Sequence, residues 1–209
     1  MKKKILLIDS KVSNIKSIIN AFNYLNVEFS IAETRFNPRN YEYVILPGVG
    51  HFGKFAYNIK SSQLDKSIFD FIEQDKFFLG ICVGMQYLFE SSEESLDHKG
   101  LGIIKGKVQK FNIELVKDKV PLIGKKKIKI EKLNWESTIL KNFSDNTDMY
   151  FLHSYFCKAN LEQELSSTSY NGFNFTSSIK IGNIYGVQFH PEKSGKNGLK
   201  VLQNFIELK

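Results

Sequence analysis

Apolar residues in the first half of the chain follow two alternating periods. KILLID (4–9) is a continuous apolar run closed by an aspartate, which is how a strand buried on both faces reads. In IKSIINAFNYL, Ile15, Ile18, Ile19, Phe22 and Leu25 recur at helical spacing, and Asn14 stands before them as a cap. VEFSIA and YEYVILP (41–47) give a second and a third strand. Gln63 to Gln74 carries Leu64, Ile68, Phe71 and Ile72 on one helical stripe. FFLGI (77–81) is a further buried strand, and MQYLFE follows it as a helix. This rhythm predicts an α/β fold, a mostly parallel central sheet flanked by helices.

From about residue 100 the period changes. LGIIKGKVQKFNIE, KKKIKIEKL, DMYFLHSYFCKA, LSSTSY and FNFTSSIKIGNIYGVQF are strand-like, with little helix between them. They predict an antiparallel C-terminal extension on the same core, and GLKVLQNFIEL closes the chain as an amphipathic helix. With 209 residues and neither repeats nor a proline-rich linker, residues 1–209 are expected to form a single domain.

Composition narrows the function classes. The start MKKKILLIDS is basic, but its apolar run is too short for an export signal, and no stretch approaches the roughly 20 apolar residues of a membrane span. Two cysteines, Cys82 and Cys157, make no disulfide framework, so a reducing, cytoplasmic setting is expected. Neither lies at zinc-ligand spacing, so no metal is expected. The net charge is +7, with much of the excess around GKKKIKIEK. An acidic partner or a phosphorylated substrate would suit that run. The simpler reading is an edge strand whose wet face carries lysines against aggregation. No aromatic residues interleave with the basic ones, which argues against nucleic acid.

Three segments carry chemistry. In LGICVGMQYLFE, Cys82 sits between Gly80 and Gly84, where a strand gives way to a helix. That is the pattern of a nucleophile elbow with sulfur in place of oxygen, and a helix N-terminus favours the thiolate. In GVQFHPEKS (186–194) a strand delivers His190. Residues two apart on an extended chain share a side, which would bring Glu192 beside the imidazole as its orienting carboxylate. Pro191 would hold His190 extended. In ILPGVGHFG (45–53) a glycine loop follows a buried strand and could aim N–H groups at an oxyanion; it has no Gly-Lys-Ser/Thr and is not a P-loop. His51 reads as a loop residue, and Cys157 as core filler. Alone, Cys82 could be a packing cysteine and His190 a surface loop histidine. Together they suit a Cys-His-Glu triad, because parallel strands bring distant carboxyl ends to one sheet edge.

PGVG, GICVGMQ with a following SSEE, LHSY and GVQFHPEKS occur in this order along nearly the whole chain. The sequence thus resembles the class I, triad-type glutamine amidotransferases, and among them the glutaminase subunits of imidazole glycerol phosphate synthase. A cysteine peptidase of the same superfamily would carry histidine directly after the nucleophile, where this chain has Val83. The resemblance implies a flavodoxin-like sheet with no cofactor. It assigns Cys82 as nucleophile, His190 as base and acid, and Glu192 as orienter. It puts the oxyanion hole on Gly48, Val49, Gly50 and Val83, and glutamine binding on Gln86, Glu94, His153, Ser154 and Tyr155. It also implies a heterodimer in which a (βα)₈-barrel cyclase receives the ammonia. Asn14 and Trp135 would face that partner. Two segments depart from the family pattern. DSKVSN has Lys11 and Ser13 where glycines are expected, and EKLNWE keeps only Trp135 of Pro-His-x-Gly-Trp-Asn. Two other readings stay open: a paralogue feeding ammonia to a sugar-modifying amidotransferase, and a basic binding module without catalysis.

Overall fold

A computed structural model describes residues 4–132 and 134–209. The first three residues of MKKKILLIDS and Leu133 of EKLNWE therefore lie outside the described residues. The first half runs β1 (Ile5–Ile8), α1 (Ile15–Tyr24), β2 (Ser30–Ala32), β3 (Tyr43–Gly48), α2 (Phe52–Ser61), α3 (Leu64–Ile72), β4 (Phe77–Cys82) and α4 (Val83–Gln86). The rest is β5 (Phe89–Ser92), β6 (Ser95–Lys99), β7 (Ile104–Lys110), α5 (Ile113–Val116), β8 (Leu122–Ile130), β9 (Thr147–His153), β10 (Tyr155–Cys157), β11 (Glu164–Tyr170), β12 (Phe173–Ile181), β13 (Ile184–Val187) and α6 (Gly195–Glu207).

Nine strands form one sheet in the order β2-β1-β3-β4-β13-β12-β11-β8-β9. The pairings from β2 to β13 are parallel and those from β13 to β9 antiparallel. The parallel half is the expected central sheet, and the antiparallel extension continues it edge to edge. β1, β3 and β13 are buried along their whole length, in keeping with strands covered on both faces. One core cluster runs through both halves, from Ile5 to Ile206.

Register positions the site. Gly48 at the end of β3 pairs with Cys82 at the end of β4, and Val187 at the end of β13 pairs with Ile81. The ILPGVG, GICVG and VQFHPE segments therefore leave the sheet from adjacent parallel strands at their carboxyl ends, where α/β sheets place ligands.

Several elements differ from expectation. The helix foreseen over MQYLFE is only the single turn of α4. Tyr87, Leu88 and Phe89 are all fully buried, so a helix there would have no polar face, and the chain instead enters β5. β5 belongs to a second, four-stranded sheet, β10-β7-β5-β6, that the patterns did not predict. The glycine loop ends in α2, whose Phe52, Phe55, Ala56 and Ile59 face the core. The lysine-rich β8 is not the edge strand of its sheet. β9 pairs along it and forms the edge, while β11 covers only Ile128–Ile130 on the other side. The lysines still lie mostly in solvent, and Lys126 Nζ stands 4.9 Å above the Tyr170 ring.

Candidate active site

Cys82 is the last residue of β4 and precedes α4, with φ 53° and ψ −108°. A non-glycine residue at positive φ costs free energy and persists only where its surroundings enforce it. Here the enforcement is close packing. A Cβ on Gly84 would overlap the carbonyl oxygen of Leu46, and one on Gly80 would stand 2.6 Å from Gly84 O. A Cβ on Gly48 would come within 2.7 Å of Gly84 N. The elbow thus packs directly on β3 and on the loop that follows it, and the glycines on both sides of Cys82 are sterically required.

His190 follows β13 in an extended conformation, but Pro191–Lys193 is a 3₁₀ turn rather than extended chain. Glu192 reaches the imidazole from inside that turn, with 2.8 Å between His190 Nδ1 and Glu192 Oε1, both side chains buried. Proline at the first position of the turn fixes φ and lacks the N–H that the turn would leave unpaired. The His190 N–H donates to Tyr150 O at 2.8 Å. Ser194 Oγ donates to His190 O at 2.7 Å and accepts from Tyr150 N at 2.9 Å, locking the turn to β9.

Nδ1 faces the carboxylate, which leaves Nε2 as the other ring nitrogen. His190 Nε2 is buried with no hydrogen-bond partner among the described residues. Burial alone would lower the pKa of His190. The neighbouring Cys82 sulfur and then Glu192 outweigh it and raise the value from 6.5 to about 10. The arrangement favours the imidazolium form of His190.

Cys82 lines a cavity of about 300 Å³ together with Gly50, Val83, Gln86, Glu94, Pro121, Leu152, His153, Ser154 and Tyr155. Most of the residues singled out for oxyanion stabilisation and glutamine binding converge here. A larger depression of about 780 Å³ around Lys158–Glu162 is lined by neither cysteine nor histidine. Glu94 Oε2 accepts from Phe52 N at 2.7 Å, so this carboxylate also caps α2. The His153 imidazole is buried against Phe111, Phe151 and Phe175. Its Nδ1 meets Tyr155 O at 2.8 Å, and burial, the largest cause, pushes its pKa down to about 3.

Asn14 and Trp135 do not line the cavity. Asn14 stands at the N-terminus of α1 without a side-chain capping bond, and Trp135 Nε1 donates to Phe143 O at 3.1 Å. The DSKVSN loop keeps a backbone suited to glycine, since Lys11 has φ 63°. Ser13 Oγ donates to Pro47 O at 2.6 Å, tying this loop to the end of β3. His51 is the N-cap of α2, its Nδ1 accepting from Gly53 N at 3.1 Å. Cys157 is fully buried, and burial raises its thiol well above its ordinary pKa. Among the described residues no group of His, Cys, Asp or Glu could hold a metal, and no helix is long and apolar enough to cross a membrane.

The sequence reading missed Gln188 and Ser194. Gln188 stands two residues before His190 in the quoted GVQFHPEKS, on the same side of an extended chain, so the period of two was enough to find it. Ser194 gave no comparable signal.

The family model described as Glutamine amidotransferase class-I matches residues 6–208. The chain is 36% identical over 205 residues to imidazole glycerol phosphate synthase subunit HisH of Chlorobium chlorochromatii, covering 98% of this chain and all of that protein. It is 39% identical over 207 residues to the chloroplastic imidazole glycerol phosphate synthase hisHF of Arabidopsis thaliana, covering 98% of this chain and 34% of that longer protein. Among solved structures, PurLQS from Thermotoga maritima superposes with a TM-score of 0.75 at 20% identity, covering 98% of each chain, a likeness of fold. Because the family match takes in both halves of the large sheet and the turns at their junction, this chain belongs to the class-I glutamine amidotransferases.

Proposed function

We propose that this chain is the glutaminase subunit of an imidazole glycerol phosphate synthase, releasing ammonia from glutamine for histidine biosynthesis. The observation that carries the chemical part is the Cys82 elbow on the cavity wall with the buried His190–Glu192 pair interacting with its sulfur. The full-length likeness to HisH subunits carries the pathway. The continuous core supports reading residues 1–209 as one glutaminase domain.

The chemistry runs in two halves. The Cys82 thiolate attacks the side-chain carboxamide carbon of glutamine. N–H groups of Val83 and of the Gly48–Val49–Gly50 loop stabilise the oxyanion. Val83 opens α4, so its N–H has no acceptor within the helix. Imidazolium His190 gives its proton to the departing nitrogen, ammonia leaves, and a γ-glutamyl thioester remains. The sulfur is then uncharged. The interaction that raised the pKa of His190 disappears, while the burial that lowers it stays. The same imidazole therefore becomes a base, takes a proton from water, and the hydroxide releases glutamate. Glu192 keeps Nδ1 protonated and Nε2 directed at the reacting atoms throughout. Gln86, Glu94 and the 153–155 segment bind the amino-acid end of glutamine.

HisH subunits act with a cyclase partner, and the joint name hisHF of the Arabidopsis protein fits such a pairing within one chain. The partner we propose is a (βα)₈-barrel cyclase forming a heterodimer, in the cytoplasm, where free glutamine meets thiols kept reduced. Asn14 and Trp135 are our candidates for the docking face. Cys82→Ala, assayed with the partner present, is expected to abolish glutamate release. Normal release by that variant overturns the assignment.

A further inference from the structure

A hydrogen-bonded path through two buried glutamines connects the strand at the cavity wall to the nucleophile. Tyr155 O accepts from Gln86 Nε2 at 3.0 Å and faces His153 Nδ1 at 2.8 Å. Gln86 Nε2 also donates to Gln188 Oε1 at 3.2 Å, and Gln188 Nε2 lies 3.6 Å from Cys82 Sγ. Gln188 is 0% exposed and Gln86 2%.

The direction of this chain follows from one atom. A backbone carbonyl only accepts, so the Gln86 atom facing Tyr155 O must be its NH₂. That NH₂ is also the atom facing Gln188, so Gln188 must present its oxygen there. Its own NH₂ then has one remaining direction, toward the sulfur. The backbone leaves it little freedom, because Gln188 N donates to Ser177 O at 2.9 Å and ties the residue to β12. Turning the Gln188 amide over would set two NH₂ groups against each other at one end and an oxygen lone pair against the sulfur at the other.

We propose that Gln188 is a positioning residue for the nucleophile. Its fixed NH₂ donates to the Cys82 sulfur, favours the thiolate over the thiol, and holds the sulfur facing the cavity. The proposal rests on Cys82 being the nucleophile. Besides the neighbouring His190, the sulfur meets Leu152 O at 3.9 Å, a carbonyl that can only accept. The titratable groups around the sulfur are His190 after β13, His153 on β9, Cys157 on β10 and Glu94 in the β5–β6 turn. None of them duplicates a neutral N–H donor.

The test is the pH profile of Cys82 alkylation by iodoacetamide, a small carboxamide, in the full chain with and without its partner. Gln188→Met keeps the volume and removes the donor. Loss of a hydrogen bond to a charged group should cut the alkylation rate on the acid side about tenfold and move the midpoint up by about one pH unit, the rates converging at high pH. Gln188→Glu keeps the shape and replaces the donor with a carboxylate, and should move the midpoint further the same way. It decides the matter if the methionine variant does not fold, as judged by thermal melting. A merely structural role would lower melting temperature and activity but leave the midpoint in place. An unchanged midpoint in a folded variant overturns the proposal. That failure is distinct from failure of the functional assignment, which Cys82→Ala tests by itself.

Discussion

Replacing His153 with asparagine should make the fold markedly less sensitive to acid. His153 sits against three phenylalanine rings with Nδ1 on Tyr155 O, and burial lowers its pKa from 6.5 to about 3. A backbone carbonyl only accepts, so the hydrogen is on Nδ1. Nε2 is a buried lone pair with no partner among the described residues. An unfolded chain takes up a proton on this histidine below pH 6.5, whereas the folded one does not until far lower. The stability tied to a neutral His153 is therefore full above pH 6.5 and is lost as the pH falls from there toward 3. Between pH 7 and pH 5 the loss is about 2 kcal/mol. Because pH 5 lies well above the folded value, this figure depends almost wholly on the unfolded one.

Asparagine can keep a donor near Nδ1 while removing the titration. It leaves a void among the rings and lowers stability at pH 7, but that offset does not vary with pH. The assay is urea unfolding of both proteins at pH 7 and pH 5. The wild type should lose about 2 kcal/mol more than the variant over this interval. Every other titrating group is common to both proteins and cancels. Parallel stability curves would refute the reasoning, showing that His153 is protonated, or solvent-open, in the folded state.

Other perturbations probe the elbow and the dyad. Gly84→Ala places a Cβ into Leu46 O, backbone against backbone. It should cost about 3 kcal/mol or more by thermal or urea unfolding and abolish glutaminase activity, and a variant within 1 kcal/mol of wild type contradicts the packing account. Glu192→Gln removes the charge beside Nδ1 while keeping size, and should lower kcat by about a hundredfold to ten-thousandfold with the fold retained; a loss under tenfold would mean that His190 needs no orienting carboxylate. Protonated His190 stabilises the fold fully below pH 6.5, and that contribution is lost as the pH rises through about 10. Glutamine hydrolysis with the partner present should fall over the same alkaline range as the acid for the leaving ammonia is lost, so an alkaline limb centred near pH 7 would count against the assignment.

What was legible in the sequence divides along physical lines. Strands buried on both faces announce themselves as unbroken apolar runs, which is why β1, β3 and β4 stand where KILLID, YEYVILP and FFLGI put them, within a residue or two. The site segments were legible because each needs an unusual residue at a turn. MQYLFE was not, because its buried residues have no polar face to set a period, and pairing with β7 decides the outcome. The four-stranded sheet was hidden for another reason: the segments of β7 and β10 read as strands, but their pairing with each other and with β5 joins stretches far apart or unread as strand in the sequence. Glu192 was placed correctly beside His190 by an argument from extended chain, whereas the contact is made through a 3₁₀ turn. His153 was given by the resemblance alone, for glutamine binding; it lines the cavity, yet its ring packs in the aromatic core, visible only once Phe111 and Phe175 arrive from other segments.

The position of the strain explains why the elbow can be so tight. A residue at φ 53° costs roughly 1–3 kcal/mol, and a short turn such as α4 cannot hold it there through its own hydrogen bonds. The hold comes from register. Gly48 pairs with Cys82 while Gly84 closes onto Leu46 O, so the strained residue is clamped between two strands of a parallel ladder about 4.8 Å apart. Relaxing Cys82 would require β3 and β4 to separate, with the loss of several buried ladder bonds. His190 is anchored on the other side of β4 by β13 and by the Tyr150–Ser194 lock. Cys82 and His190 are thus each fixed by the sheet itself. In the proposed reaction, glutamine has only to place its carboxamide between them.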